Sequence, residues 1–332
     1  MLTSREIDSA VAEGIRRGNP DCIDKGPDGG LKCPIQGHEH QSLLPWTDGD
    51  YEQGTSPDEE HRVNFRVSPT FIYADPLDNF IAGQDLIRQA IGGEWGKAET
   101  GRLGYENSED ALSWNVFRSL QESETLRPVV DSLTGFETDG EPDLILWGRR
   151  ILDESSKPCL ELDKALEQLE PAHRQRTEPD VVLHWPGQGW LFIEAKFNSP
   201  NTTYAKTPGR VDEWLNRYAV TCPGVFDMQA INDADPKVFP EQLLRNIAVA
   251  SKVISGEEKA RVISLVPKSK AVDIEPTVRQ FLPATPPVSF GESTWEDLYD
   301  VLPDDPSLSP LRDYMETKTA GMRKAFDIRS TV

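Results

Sequence analysis

Two apolar runs, residues 181–185 and 190–197, stand either side of Pro186-Gly187-Gln188-Gly189, and this pair constrains the fold more than any other feature of the chain. Val, Leu, Ile, Phe and Trp dominate both runs, as in strands buried on both faces. Pro-Gly supplies the turn between them. The expectation is an antiparallel hairpin with charge at its open end: Asp180, in Glu178-Pro179-Asp180, precedes the first strand, and Glu194-Ala195-Lys196 closes the second. Register decides what these groups can do. If Trp185 pairs with Gly189 across a three-residue loop, Asp180 lies opposite Glu194 on one face, and Lys196, two positions on, points the same way. With a four-residue loop Asp180 faces away. Gly189 can take the positive φ of a bulge, which favours the first register.

Two carboxylates and an amine amid apolar neighbours are expensive to bury without a counter-ion. A divalent cation offsets that cost, and oxygen donors of this kind suit Mg²⁺ or Mn²⁺ rather than zinc. Asp180 and Glu194 are the expected metal-binding carboxylates, with the Ala195 carbonyl as a further donor. Glu109 stands in the first turn of a helix capped by Asn107 or Ser108, on the same stripe as Leu112, Val116 and Leu120, and can complete or support the site. Lys196 beside such a cation can orient or deprotonate a water while the cation stabilises charge on a phosphoryl oxygen.

The surrounding patterns read as helix to about residue 122, strand from 143 to as far as 152, amphipathic helix over 160–176, the hairpin, helices over 211–219 and 241–254, and a Val/Ile-rich strand over 260–266. This is an α/β layer arrangement. Residues 1–100 are less regular: an acidic, turn-rich stretch near 46–60 reads as a linker, an alternating run over 62–67 as a strand, and a helix opens at Asp75-Pro76 with Phe80, Ile81, Ile87 and Ile91 on its apolar side. The last segment, 271–332, reads as Pro-rich connections and two helices, the second running from Pro310 through Leu311, Met315, Met322 and Phe326. Three regions follow: 1–100, 101–270 and 271–332.

Asp180, then Glu194-x-Lys196, after a helix bearing Glu109, resembles the PD-(D/E)xK nuclease superfamily. The helix text from Glu109 to Asn115 is also similar to the first helix of several bacterial members, and the resemblance spans roughly 105–270. It implies a restriction-endonuclease-like core, an α-β-β-β-α-β mixed sheet flanked by helices, here with N-terminal and C-terminal additions. It implies Glu109, Asp180, Glu194 and Lys196 as the catalytic set, with Asp180 and Glu194 as ligands of Mg²⁺ or Mn²⁺ and Lys196 orienting the water. Gln242 stands where some members carry a helix glutamine; the aromatic expected four positions later is replaced by Asn246. The implied activity is metal-dependent hydrolysis of phosphodiester bonds in DNA, in restriction, antiviral defence or repair.

A net charge of −21 excludes a broadly basic nucleic-acid-binding coat. Contact with DNA must then rest on metal or on a local strip, and residues 196–210 hold Lys196, Lys206 and Arg210 with no acid among them. Lys206, Arg210 and Gln242 are the expected substrate-binding residues. Asp143, in Glu141-Pro142-Asp143, imitates the motif but lacks a following Glu-x-Lys and reads as the start of a strand; His184 reads as a partly buried histidine. Cys22, Cys33, His38 and His40 cluster within nineteen residues and form a candidate structural Zn²⁺ set, though their spacing is not that of a standard finger. Four cysteines exclude a disulfide scaffold and favour the cytoplasm. Neither an apolar run of membrane-spanning length nor a secretory signal nor a phosphate-binding G-x-x-x-x-G-K-[ST] loop is visible. The expected partner is DNA, with a second copy of the chain or a defence-system protein as further candidates. The rival reading is a catalytically silent nuclease-fold module that binds nucleic acid or a protein partner.

Overall fold

The structure, a computed structural model, describes residues 31–32, 41–46, 66–73, 76–91, 102–170, 178–320 and 323–328. Strands β1 (Leu31–Lys32), β2 (Gln41–Trp46) and β3 (Arg66–Tyr73) pair antiparallel in a small sheet of their own. The strand expected over 62–67 coincides with β3 only at 66–67; the remainder of that run lies outside the described residues. The helix expected from Pro76 is a short 3₁₀ turn (Pro76–Asn79) followed by a separate α1 (Gln84–Ile91). The backbone between them bonds elsewhere: Ile81 N donates to Asn115 Oδ1 and Ala82 O accepts from Trp114 Nε1, both on the next long helix.

That helix, α2 (Glu109–Glu122), is capped by Ser108, whose Oγ accepts from Ala111 N. A further helix, α3 (Leu126–Thr134), buries Leu126, Val129 and Val130. The expected single strand from 143 is a hairpin, β4 (Asp143–Leu146) and β5 (Arg149–Ile151), extended by β6 (Ser156–Pro158). Trp147 and Gly148, at φ 53° and 72°, make the reversal, which the apolar text of the run concealed. There follow α4 (Leu160–Leu169), β7 (Val181–Trp185), β8 (Gly189–Ala195), α5 (Pro208–Trp214), α6 (Met228–Asn232), α7 (Glu241–Val253) and β9 (Lys259–Val266). The chain ends with α8 (Glu275–Arg279), β10 (Val288–Thr294), α9 (Trp295–Asp300), α10 (Ser309–Thr317) and a small hairpin, β11 (Thr319–Ala320) and β12 (Arg323–Lys324).

The main sheet has seven strands in the order β10-β9-β8-β7-β4-β5-β6. It is mixed: β7 pairs antiparallel with both β4 and β8, and β9 runs parallel to β8 and to β10. Where three strands were expected between α2 and the paired helices, five stand, and the segment expected as a helical extension supplies β10. Val288, Phe290 and Ser293 are buried and Ser289 and Glu292 exposed, a half-buried pattern that the flanking prolines disguise as a connection. The second C-terminal helix ends at Thr317 rather than running on to Phe326, which lies beyond β12 and packs 5.7 Å from Phe197.

Alternation along β7 and β8 sends side chains to two separate cores. Val181, Leu183 and Ile193 join Leu112, Val116 and Phe117 of α2 on one face. Val182 and Phe192 join Leu166 of α4 and Leu244 and Ile247 of α7 on the other. A fully buried side chain of this size contributes roughly 1.5–3 kcal/mol, so a register slip in this hairpin would sacrifice both cores together.

Candidate functional site

The hairpin takes the register that brings its charges together. Trp185 pairs with Gly189 and Val181 with Ile193, which carries Asp180, one step further, opposite Glu194. The reason differs from the expected one. The positive φ falls on Gly187, at 75°, and not on Gly189. Gly189 is small because its strand is crowded: a Cβ there would stand 2.6 Å from Lys259 O and 2.8 Å from Phe136 Cζ.

Four expected residues converge at this end of the sheet. Asp180 Oδ2 accepts from Ala195 N at 2.9 Å, and Glu109 Oε1, from the first turn of α2, accepts from Phe197 N at 3.0 Å. Lys196 Nζ donates to Glu194 Oε1 at 2.7 Å and lies 3.9 Å from both Asp180 Oδ2 and Glu109 Oε2. Trp295 Nε1 fixes the lysine's backbone by donating to its carbonyl at 2.9 Å. Burial works against the ammonium charge, but Glu194, Asp180 and Glu109 overcome it and hold Lys196 well above the ordinary lysine range.

Glu194 is wholly buried, a position a carboxylate tolerates only when paired and hydrogen-bonded. Helix α7 provides that satisfaction. Gln242 Nε2 donates to Glu194 Oε1, and Asn246 Nδ2 donates to Oε2 at 2.6 Å. The two residues are four apart, one turn, and so share a helix face. Arg245 adds a further contact, its Nη2 donating to Asn246 Oδ1 at 3.2 Å. Asn201 Nδ2 bonds the Glu194 carbonyl at 3.1 Å. Asn246, noted from sequence only as a departure from an expected aromatic, is thus a direct partner of the buried carboxylate. Its signal was its spacing from Gln242, with Arg245 between them, on a helix otherwise lined by Leu243, Ile247 and Ala250.

The remaining candidates are more scattered. Lys206 is exposed, with φ 67° and its N–H bonded to Pro236 O. Arg210 is exposed but held by Glu213 and Glu241. Asp143 starts β4 opposite His184, at the far end of the hairpin from Glu194, and forms an ion pair with Arg150. His184 is buried, stacked on Trp190 at 3.7 Å, between Asp143 and Glu258. Cys22, Cys33, His38 and His40 lie outside the described residues. Cys159 and Cys222 are buried free thiols.

Chemically the site is a set of oxygen donors around one ammonium: three carboxylates and a single positive charge among these four side chains. Among the described residues no three His, Cys, Asp or Glu side chains stand ready-arranged as a metal cage. Lys196 stands among the acids instead. No described helix is long and apolar enough to cross a membrane.

Comparison with family models puts this α/β chain among the restriction-endonuclease-like proteins. It belongs to the family described as restriction endonuclease associating with ARP, whose model matches residues 106–318, a span that holds the whole main sheet and every residue of the acidic site. No curated protein and no solved structure matches the chain.

Proposed function

We propose that the protein is a metal-dependent nuclease that hydrolyses phosphodiester bonds of DNA, with Glu109, Asp180, Glu194 and Lys196 as its catalytic set. Family membership points to nuclease activity. The observation that carries the metal-dependent reading is the convergence of Asp180, Glu194 and Glu109 on the Lys196 ammonium. Three carboxylates against one cation leave an excess of negative charge that a hard divalent cation would balance, and a donor set made only of oxygen suits Mg²⁺ or Mn²⁺. Asp180 and Glu194 would hold it, with the Ala195 carbonyl as an additional donor. When bound, such an ion supplies charge neutralisation on the phosphoryl oxygens and lowers the pKa of a water.

The chain's own groups do the rest. Gln242 and Asn246 fix both oxygens of Glu194, so the carboxylate is oriented before any ligand arrives. Lys196 donates protons from a point within reach of all three acids and can aim a water at phosphorus. It is a donor at neutral pH and not a base, because the acids hold its proton. Glu109 ties α2 to the strand end and keeps one oxygen turned to the site.

A second reading, a silent nuclease-fold module that binds nucleic acid or a protein partner, draws support from the net charge of −21, which opposes DNA at long range. Incubation of plasmid and single-stranded DNA with Mg²⁺, Mn²⁺ or EDTA separates the two. The nuclease reading expects products with metal and none with EDTA; intact DNA under all conditions favours the silent module. A role in restriction or antiviral defence, with a protein partner and in the cytoplasm, accords with this reading.

A further inference from the structure

Beside the acidic site lies a cleft of about 370 Å³ walled by α5, the π-helical turn that continues it (Leu215–Ala219) and the start of α7. Gln242 belongs to both places: it lines the cleft, and its amide bonds Glu194. The cleft's carboxylates are already engaged. Glu170 accepts from the Tyr218 hydroxyl, Glu213 pairs with Arg210 and Arg217, and Glu241 pairs with Arg210. Two buried donor atoms of its lining residues are not. Arg245, only 7% exposed, gives Nη2 to Asn246, while its Nε has no acceptor; Trp214, 1% exposed, has no acceptor for Nε1. Arg245 makes no ion pair among the described residues. A buried donor left without a partner costs about 1–3 kcal/mol, and native proteins leave few of them.

We propose that this cleft holds a phosphate of the substrate strand beside the one that is cut, with the Arg245 guanidinium and the Trp214 indole N–H as its donors; the identity of the strand rests on the nuclease reading above. The chemistry selects an oxyanion. The two buried unengaged atoms are donors only, and the one cation lining the cleft without a carboxylate partner among the described residues is a guanidinium, whose planar fork matches phosphate oxygens. The volume leaves space for the attached sugar. Gln242 lines the cleft and bonds Glu194, so one side chain separates the cleft from the acidic site, and a strand whose scissile phosphate lies at that site would bring its neighbour here. The phosphate is either an internal diester or a terminal monoester.

Anisotropy titrations in EDTA with labelled oligonucleotides bearing a 5′-phosphate or a 5′-hydroxyl, across a salt series, test this on the full chain. Arg245→Gln keeps an amide to face Asn246, and Trp214→Phe keeps the ring while removing the N–H. Arg245→Gln is expected to weaken binding by about tenfold and to lower the log–log salt slope by about 0.7–0.9. Trp214→Phe is expected to weaken binding a few-fold at unchanged slope. Equal losses on both oligonucleotides identify an internal phosphate; a wild-type preference for the 5′-phosphate that Arg245→Gln abolishes identifies a terminal one. Wild-type affinity and slope in a folded Arg245→Gln protein overturn the proposal, as does a wild type that binds neither oligonucleotide. If Arg245→Gln does not fold, Trp214→Phe decides, and unaltered binding overturns the proposal. Wild-type cleavage with Mn²⁺ runs alongside: binding without cleavage sinks the nuclease reading and leaves the cleft standing, whereas cleavage with both variants binding normally sinks the cleft alone.

Discussion

At Glu194 the chain puts a carboxylate where water does not reach, and three side chains satisfy it. Lys196 gives the counter-charge, and Gln242 and Asn246 give hydrogen bonds to the two oxygens. Removing one member of a buried pair leaves an uncompensated charge, at a cost of about 3–5 kcal/mol. Lys196→Met should therefore destabilise the metal-free protein by about 3 kcal/mol in urea unfolding, and millimolar Mn²⁺ should recover more of that loss than it adds to wild type. Equal midpoints for variant and wild type without metal would show that the lysine is not the acids' counter-ion. The convergence of Asp180, Glu194 and Lys196 was legible because strand alternation and hairpin register follow from local text, and Glu109 was legible from its place in the first turn of a capped helix. Asn246 was not, because its role depends on where a helix 52 residues away docks on the sheet. The unpartnered Nε of Arg245 was equally hidden, since burial of one guanidinium on a helix cannot be read from spacing.

Among elements, the β7–β8 hairpin is the one on which the others are built. Its loop residues announced it, and its apolar filling announced that both faces would be covered. What the text concealed lies at its margins: the reversal at Trp147-Gly148, the helix α3, and β10 among prolines. In each, a short segment takes its structure from a neighbour rather than from its own periodicity. At the far end of the hairpin His184 stacks on Trp190. Burial holds its imidazole below the ordinary value of 6.5, although Glu258 and Asp143 pull the other way. The unfolded chain then takes up this proton at higher pH than the folded protein does. This histidine's contribution is present above about pH 6.5 and is lost as the pH falls below that through the lower folded-state value. His184→Gln should flatten the loss of stability between about pH 7 and pH 5, read as urea midpoints at each pH. A pH dependence identical to wild type would remove His184 as its source.

Across the whole molecule, residues far apart in sequence close one body around the sheet. Phe80, Leu112, Trp295 and Phe326 belong to the same core. A buried Lys318 reinforces this, lying 3.6 Å from Glu106 and donating to Asn79 Oδ1 at 3.2 Å, while Thr319 N bonds Glu106. The clasp joins segments more than two hundred residues apart, which no local pattern could have announced. Lys318→Met should cost about 3 kcal/mol by leaving the buried Glu106 without its counter-charge, lowering the unfolding midpoint of the whole protein in a single transition. An early partial transition confined to the C-terminal segment would instead mark that segment as an independent unit.

In the proposed function the acids at the end of β7 and β8 hold a catalytic cation and Lys196 acts beside it. The most direct test pairs DNA cleavage rates with calorimetric Mn²⁺ binding for wild type, Asp180→Ala and Lys196→Ala. Asp180→Ala should lose both metal binding and cleavage. Lys196→Ala should lose cleavage while still binding Mn²⁺, because an ammonium is not a ligand. Full cleavage by Asp180→Ala, in preparations whose metal-free controls are inert, would contradict the assignment of this site.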